Sequence, residues 1–94
     1  MDYIKFNLLS VDAIKEPEGY WAWDNAYFIE RDICIQESEI TPRKIAKMLR
    51  KWGYLTEQSK GKIKVDMHPE TMSWFIEILD ASNDKPILAL STIH

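Results

Sequence analysis

Cysteine is almost absent from this chain, and glycine and histidine are scarce. One cysteine, Cys34, rules out an intrachain disulfide, whereas secreted domains of this size ordinarily carry several. Three glycines leave no Gly-rich loop to cradle phosphates, and there is no nucleophile elbow. His68 precedes a proline and His94 is the last residue of the sequence; neither has metal-ligand spacing. No run approaches the roughly 18 apolar residues of a membrane span. The first residues, MDYIKFNLL, lack a basic leader and a small-residue cleavage site. Carboxylates are plentiful, but no pair has a spacing that argues for acid–base work. The expectation is a cytoplasmic protein that is no enzyme, holds no metal or cofactor and enters no membrane.

What is present suits one α+β domain over residues 1–94. Apolar residues make up 46% of the chain and charged residues 29%, an ordinary globular balance. Four Trp, four Tyr and three Phe supply large apolar area, roughly 150–250 Å² each when buried. Cys34 lies between Ile33 and Ile35 and is expected to be a buried, inert thiol.

Charge is distributed unevenly. From Thr41 to Lys64 there are eight basic residues and one acidic residue, Glu57, a net of +7. The remainder has four basic and fourteen acidic residues, a net of −10. A chain divided in this way presents two electrostatic faces.

Tyr3 to Ile14 reads as a strand, because Ile4, Phe6 and Leu8 alternate with Lys5 and Asn7. The alternation shifts around Leu9–Val11, as a bulge or bend would make it. Glu16 to Gly19 is a turn, with Pro17 presetting one angle and Gly19 free to take a positive φ. Tyr20 to Asp32 follows, with a kink at Trp23–Asn25 and strand character from Tyr27. Ile33–Ile35 either continues that strand or forms a short separate one.

The clearest helix starts at Thr41, an N-cap whose hydroxyl can accept from a first-turn amide, with Pro42 at N1. Ile45, Ala46, Met48, Leu49 and Trp52 form one apolar stripe, and Gly53 is a natural stop. The expected helix spans Pro42–Trp52 and covers a sheet through Ile45, Met48, Leu49 and Trp52. Gln58–Gly61 is a turn. Lys62–Met67 is a strand with Ile63, Val65 and Met67 inward and Lys62, Lys64 and Asp66 outward. Thr71–Leu79 fits a helix or a strand. The compact turn Ala81–Pro86 and the strand-like ILALSTI favour a hairpin of Ser73–Asp80 with Ile87–Thr92. The fold class is therefore a mostly antiparallel sheet of four to six strands against one helix, in the order ββ(β)-α-βββ.

Two constellations are candidates for function. The first is Arg43, Lys44, Lys47, Arg50 and Lys51 on the helix, followed by Lys60, Lys62 and Lys64. The helix cations recur at spacings of three and four with no acid between them. Such like-charge pairs destabilise an isolated helix by roughly 0.2–0.5 kcal/mol each. The face is either solvated and paired with acids such as Glu37 and Glu39, or it meets DNA or RNA phosphates, or it meets an acidic protein. A basic helix, a turn and a Lys-bearing strand resemble the recognition helix and wing of winged-helix proteins, but residues 1–40 read as strands rather than that fold's preceding helices.

The second constellation is Tyr20, Trp21, Trp23, Asp24 and Tyr27, in a segment where aromatics crowd. Trp21, Trp23 and Phe28 are expected in the core. Asp24 and Asn25 are read as turn formers. Exposed members could stack on bases or, together with the acidic remainder of the chain, anchor a host protein as an inhibitor or adaptor would. The chain is expected to be a monomer or a homodimer.

The succession WAWDNAYF, PRKIAKMLRKWGYLTEQSKGKIKV and FIEILDASNDKPILAL resembles a group of small bacterial proteins found among phage or mobile-element genes. GYLT-x-x-SKGK is its most recognisable part, and the likeness covers about Val11 to Leu90. The resemblance implies an accessory protein of one α+β domain with a C-terminal hairpin. It implies no activity and no catalytic residues.

Overall fold

A computed structural model describes residues 2–22, 27–55 and 62–93 of the chain. In order come β1 (Tyr3–Val11), β2 (Ile14–Lys15), β3 (Trp21–Ala22), β4 (Tyr27–Gln36), a 3-10 turn (Glu37–Glu39), α1 (Pro42–Lys51), β5 (Lys62–His68), β6 (Ser73–Leu79) and β7 (Pro86–Thr92). Five strands form one antiparallel sheet in the order β4-β1-β7-β6-β5. The short β2 and β3 pair separately, Ile14 with Ala22 and Lys15 with Trp21. The architecture is α+β, with one α-helix among the described residues. Its order differs from expectation because the first strand divides at Asp12–Ala13. The ribbon β2–β3 then brackets the Glu16–Gly19 turn, which the Gly19 N–H closes onto the Glu16 carbonyl at 2.9 Å with Gly19 at φ +96°.

Strand parity decides which side chains face the helix. Ile4, Phe6 and Leu8 of β1 pair across to Ile35, Ile33 and Arg31 of β4. A register shift follows between Leu8 and Leu9, where Glu30 is the extra residue. Leu90 joins Leu8 to Ile76, and Ile76 joins Val65. These residues share one face of the sheet. Ile45 and Leu49 of α1 pack on it, each fully buried, with Ile40, Leu55 and Ile78. Each such side chain contributes roughly 1.5–3 kcal/mol by leaving water. The opposite face holds a smaller cluster of Leu9, Val11, Ala13 and Ala89, with Phe75 against it.

The ends of α1 follow from its sequence. Thr41 Oγ1 accepts from the Lys44 N–H at 3.3 Å, and Pro42 occupies N1. At the other end the Tyr54 N–H donates to the Leu49 carbonyl at 2.9 Å, and the Gly53 N–H to the Arg50 carbonyl at 3.1 Å. With Gly53 at φ +84°, this is a Schellman termination. It turns the chain so that Leu55 enters the core.

Thr71–Leu79 resolves as strand. Ser73–Leu79 pairs with β5 on one side and β7 on the other. The β6–β7 turn is held by Asp80, whose Oδ1 accepts from the Ser82 N–H at 2.8 Å and hydroxyl at 2.6 Å. Those bonds lower the Asp80 carboxyl below its usual range, side-chain bond first. Ile33–Ile35 continues β4 without a break.

Four expectations need correction. Met67, expected inward, is exposed, because it lies near the end of β5, an edge strand. Cys34 is exposed, because Ile33 and Ile35 take the helix side and the residue between them must face the other way. Phe28 is 64% exposed, since it lies at the outer end of an edge strand, beyond the reach of α1. Trp52 is 37% exposed and sits at the C-cap, at the margin of the stripe. The kink at Trp23–Asn25 and the Gln58–Gly61 turn lie outside the described residues.

Candidate nucleic-acid interface

α1 buries one stripe and leaves the rest of its surface to cations. At about 100° per residue, Arg50, Arg43, Lys47, Lys51 and Lys44 occupy a continuous arc of roughly 120°. Met48 and Trp52 follow, and then the buried Ile45 and Leu49. All five cations are exposed. Among the described residues, none forms an ion pair with a carboxylate. Glu37 and Glu39, the nearest acids in sequence, therefore do not neutralise the face by direct pairing.

Beside this arc runs a groove of about 420 Å³, lined by Glu39, Lys44, Lys47, Met48, Lys51 and Trp52. Three ammonium groups rim a surface of thioether and indole, with one carboxylate among them. The indole has a further neighbour. Arg31, on the helix-facing side of β4, places its guanidinium carbon 4.6 Å from the Trp52 ring centroid. That is cation–π distance, worth about 0.5–1 kcal/mol at an exposed site. Arg31 is thus a sixth cation near the α1 surface, and sequence reasoning missed it. Arg31 stands between Glu30 and Asp32 and is far from the basic run in sequence. Only the strand register brings it to the helix.

The strand lysines go elsewhere. Ile63 and Val65 pack toward α1, so Lys62 and Lys64 point from the opposite face of the sheet. There Lys62 Nζ lies 3.8 Å from Asp84 Oδ1, with both side chains well exposed. Lys64 is the cross-strand partner of Glu77. Burial pushes the Glu77 carboxyl above the ordinary range, Lys64 opposes this shift, and Asp66 adds to it. Together with Tyr20, Leu79 and Pro86, the charges of Lys62, Lys64, Glu77 and Asp84 line a shallow depression of about 240 Å³. Lys62 and Lys64 do not extend the helix surface. Lys60 lies outside the described residues.

The aromatic constellation is only partly described. Tyr20 and Tyr27 are exposed, each at 59%. The Trp21 backbone pairs with Lys15, while Trp23 and Asp24 lie outside the described residues. Tyr27 and Ile29 join Leu9, Phe75, Asn7 and Ser91 around a second groove, of about 380 Å³, on the open face.

Among the described residues, no group of three or more His, Cys, Asp or Glu is placed to hold a metal. No helix there is long and apolar enough to cross a membrane. No protein-family model, curated protein or solved structure matches the chain.

Proposed function

We propose that this protein is a non-enzymatic accessory protein that binds nucleic acid through α1. The observation that carries the reading is the arc of Arg43, Lys44, Lys47, Arg50 and Lys51, exposed and without an ion-paired carboxylate among the described residues. A solvated helix face ordinarily mixes signs, because like charges at i,i+4 repel. A polyanion relieves that repulsion at every position at once. Arg31 adds a cation from the neighbouring strand. Lys62 and Lys64 are left out of the contact, since Asp84 and Glu77 attend them.

The test is binding to DNA and RNA oligonucleotides across a salt series. Phosphate contacts release counterions, so log affinity on B-DNA falls with log salt by about 0.9 per contact. Four or more contacts are expected. No binding at low salt, or an affinity indifferent to salt, would defeat the reading.

A second reading rests on the exposed Tyr20 and Tyr27 and on the apolar groove that Tyr27 helps to line. Here the open face is the contact surface of an adaptor or inhibitor, and a host protein is its partner. A stable complex lost on Tyr27→Ala, in a variant that stays folded, would support it over the first.

A further inference from the structure

We infer that the ligand of the α1 surface is single-stranded nucleic acid, with one base stacked on Trp52 while adjoining phosphates meet Lys47, Lys51 and Lys44. The inference rests on the proposed function and narrows it.

Trp52 is the reason to choose single strands over duplex. It is a large aromatic, 37% exposed, in the same groove as the three lysines. A duplex offers that groove a phosphate backbone and keeps its bases already stacked, so an indole there has little to contact. A single strand offers free base faces. Stacking on an aromatic is tolerant of sequence and works beside a cationic track that follows the backbone. The guanidinium of Arg31 lies over the ring, and this cation–π contact holds the indole in place for a planar partner.

The geometry suits a short stretch of strand. Lys44 to Lys51 spans seven residues of helix, about 10 Å at 1.5 Å per residue, a length for two or three nucleotides. Trp52 stands at the C-terminal end of that line. Glu39, the one acid in the groove, belongs to the turn preceding α1 and so marks the other end. A carboxylate there repels a phosphate, so an unbroken phosphate backbone along the whole groove is disfavoured at that end. Ile45 and Leu49 are fully buried, so α1 presents only its cationic side to a ligand.

The experiment is fluorescence anisotropy with labelled oligothymidylate, a duplex of equal length and an abasic strand of equal length. The proteins are wild type, Trp52→Ala, Trp52→Phe and the double variant Lys47→Glu/Arg50→Glu, each checked for folding by circular dichroism. Wild type is expected to prefer oligothymidylate to both other ligands. Trp52→Ala should weaken oligothymidylate binding about 5- to 150-fold and leave the salt slope unchanged. Trp52→Phe should restore most of the affinity. The abasic strand should bind wild type and Trp52→Ala alike. Equal affinity for duplex, abasic strand and oligothymidylate would overturn the stacking, as would a Trp52→Ala variant that binds like wild type. In either event a loss in Lys47→Glu/Arg50→Glu would still uphold the phosphate surface. If that double variant binds like wild type, or no ligand binds at low salt, both readings fall.

Discussion

The two faces of the five-stranded sheet receive cations from the same short stretch of sequence and treat them differently. On the helix side, Arg43, Lys44, Lys47, Arg50 and Lys51 stand without an ion-paired carboxylate among the described residues. On the open side, Lys62 meets Asp84 at 3.8 Å and Lys64 lies across from Glu77. Only the parity of a β-strand separates them. Ile63 and Val65 pack against the cluster that holds Ile45 and Leu49, so the lysines that alternate with them are turned away from the helix. The formal charge of a segment is therefore a poor guide to the charge of a surface, because a helix gathers its cations on one side and a strand sends them out between its core residues.

The largest test abolishes the comparison. Leu49→Ala should destabilise the domain by about 2–5 kcal/mol through lost burial and the cavity left behind, read as a lower urea midpoint. With α1 loosened, its cations no longer share a defined surface, and oligonucleotide affinity should fall in parallel. Next, charge reversal separates the faces directly. Lys47→Glu/Arg50→Glu should reduce affinity for a single strand by at least about tenfold and the salt slope by about 1.4 or more, from two lost phosphate contacts. Lys62→Glu/Lys64→Glu, equal in formal charge, should change affinity by less than about twofold. An equal loss from both would show that the two faces act as one.

Smaller effects sharpen it. Thr41→Ala removes the cap of α1 and should cost about 1 kcal/mol, seen in thermal unfolding. The open face has its own signature in pH. Burial raises the Glu77 carboxyl in the folded protein, so the folded state holds its proton more tightly than the unfolded one. The associated stability is present in acid and is lost as pH rises through the folded pKa. Glu77→Gln should therefore flatten that part of the stability–pH curve. Lys64→Gln, by removing the charge that opposes the shift, should steepen it. Unfolding midpoints between about pH 4 and 7 would decide both. Least of all, Lys62→Gln should alter stability by no more than about 1 kcal/mol, as expected of an exposed pair.

Much of the fold was legible because local signals agreed. Thr41, Pro42 and Gly53 bracket α1 almost to the residue. The alternation in Lys62–Met67 places Ile63 and Val65 inward as expected, but Met67, expected with them, is exposed. The C-terminal hairpin emerged from the compact turn Ala81–Pro86, although Thr71–Leu79 taken alone also fits a helical stripe. What periodicity could not reveal was neighbourhood. Cys34 sits in an apolar run, yet its exposure depends on which side of β4 the helix covers. Trp52 completes a helical stripe, yet the stripe extends past the sheet contact that would have buried it. Arg31 joins the α1 surface through the register of β4, which no local pattern encodes. Lys62 and Lys64 belong to the basic run in sequence and to a different face in space.

The order of strands has a consequence for how this protein is made. β1 lies between β4 and β7, and among the described strands β7 follows all the others in chain order. Without β7, β1 has a partner on one side only and β6 likewise, and the sheet reduces to the pairs β1–β4 and β5–β6. Such hairpins are marginal in water. Leu88 and Leu90 then join both halves and complete the core beneath α1. Folding waits on contacts between the two ends of the described chain, a topology that slows the search. A ribosome that stalls before Pro86 therefore leaves the inner edges of β1 and β6 open, and with them a nascent chain for chaperones or proteases to find.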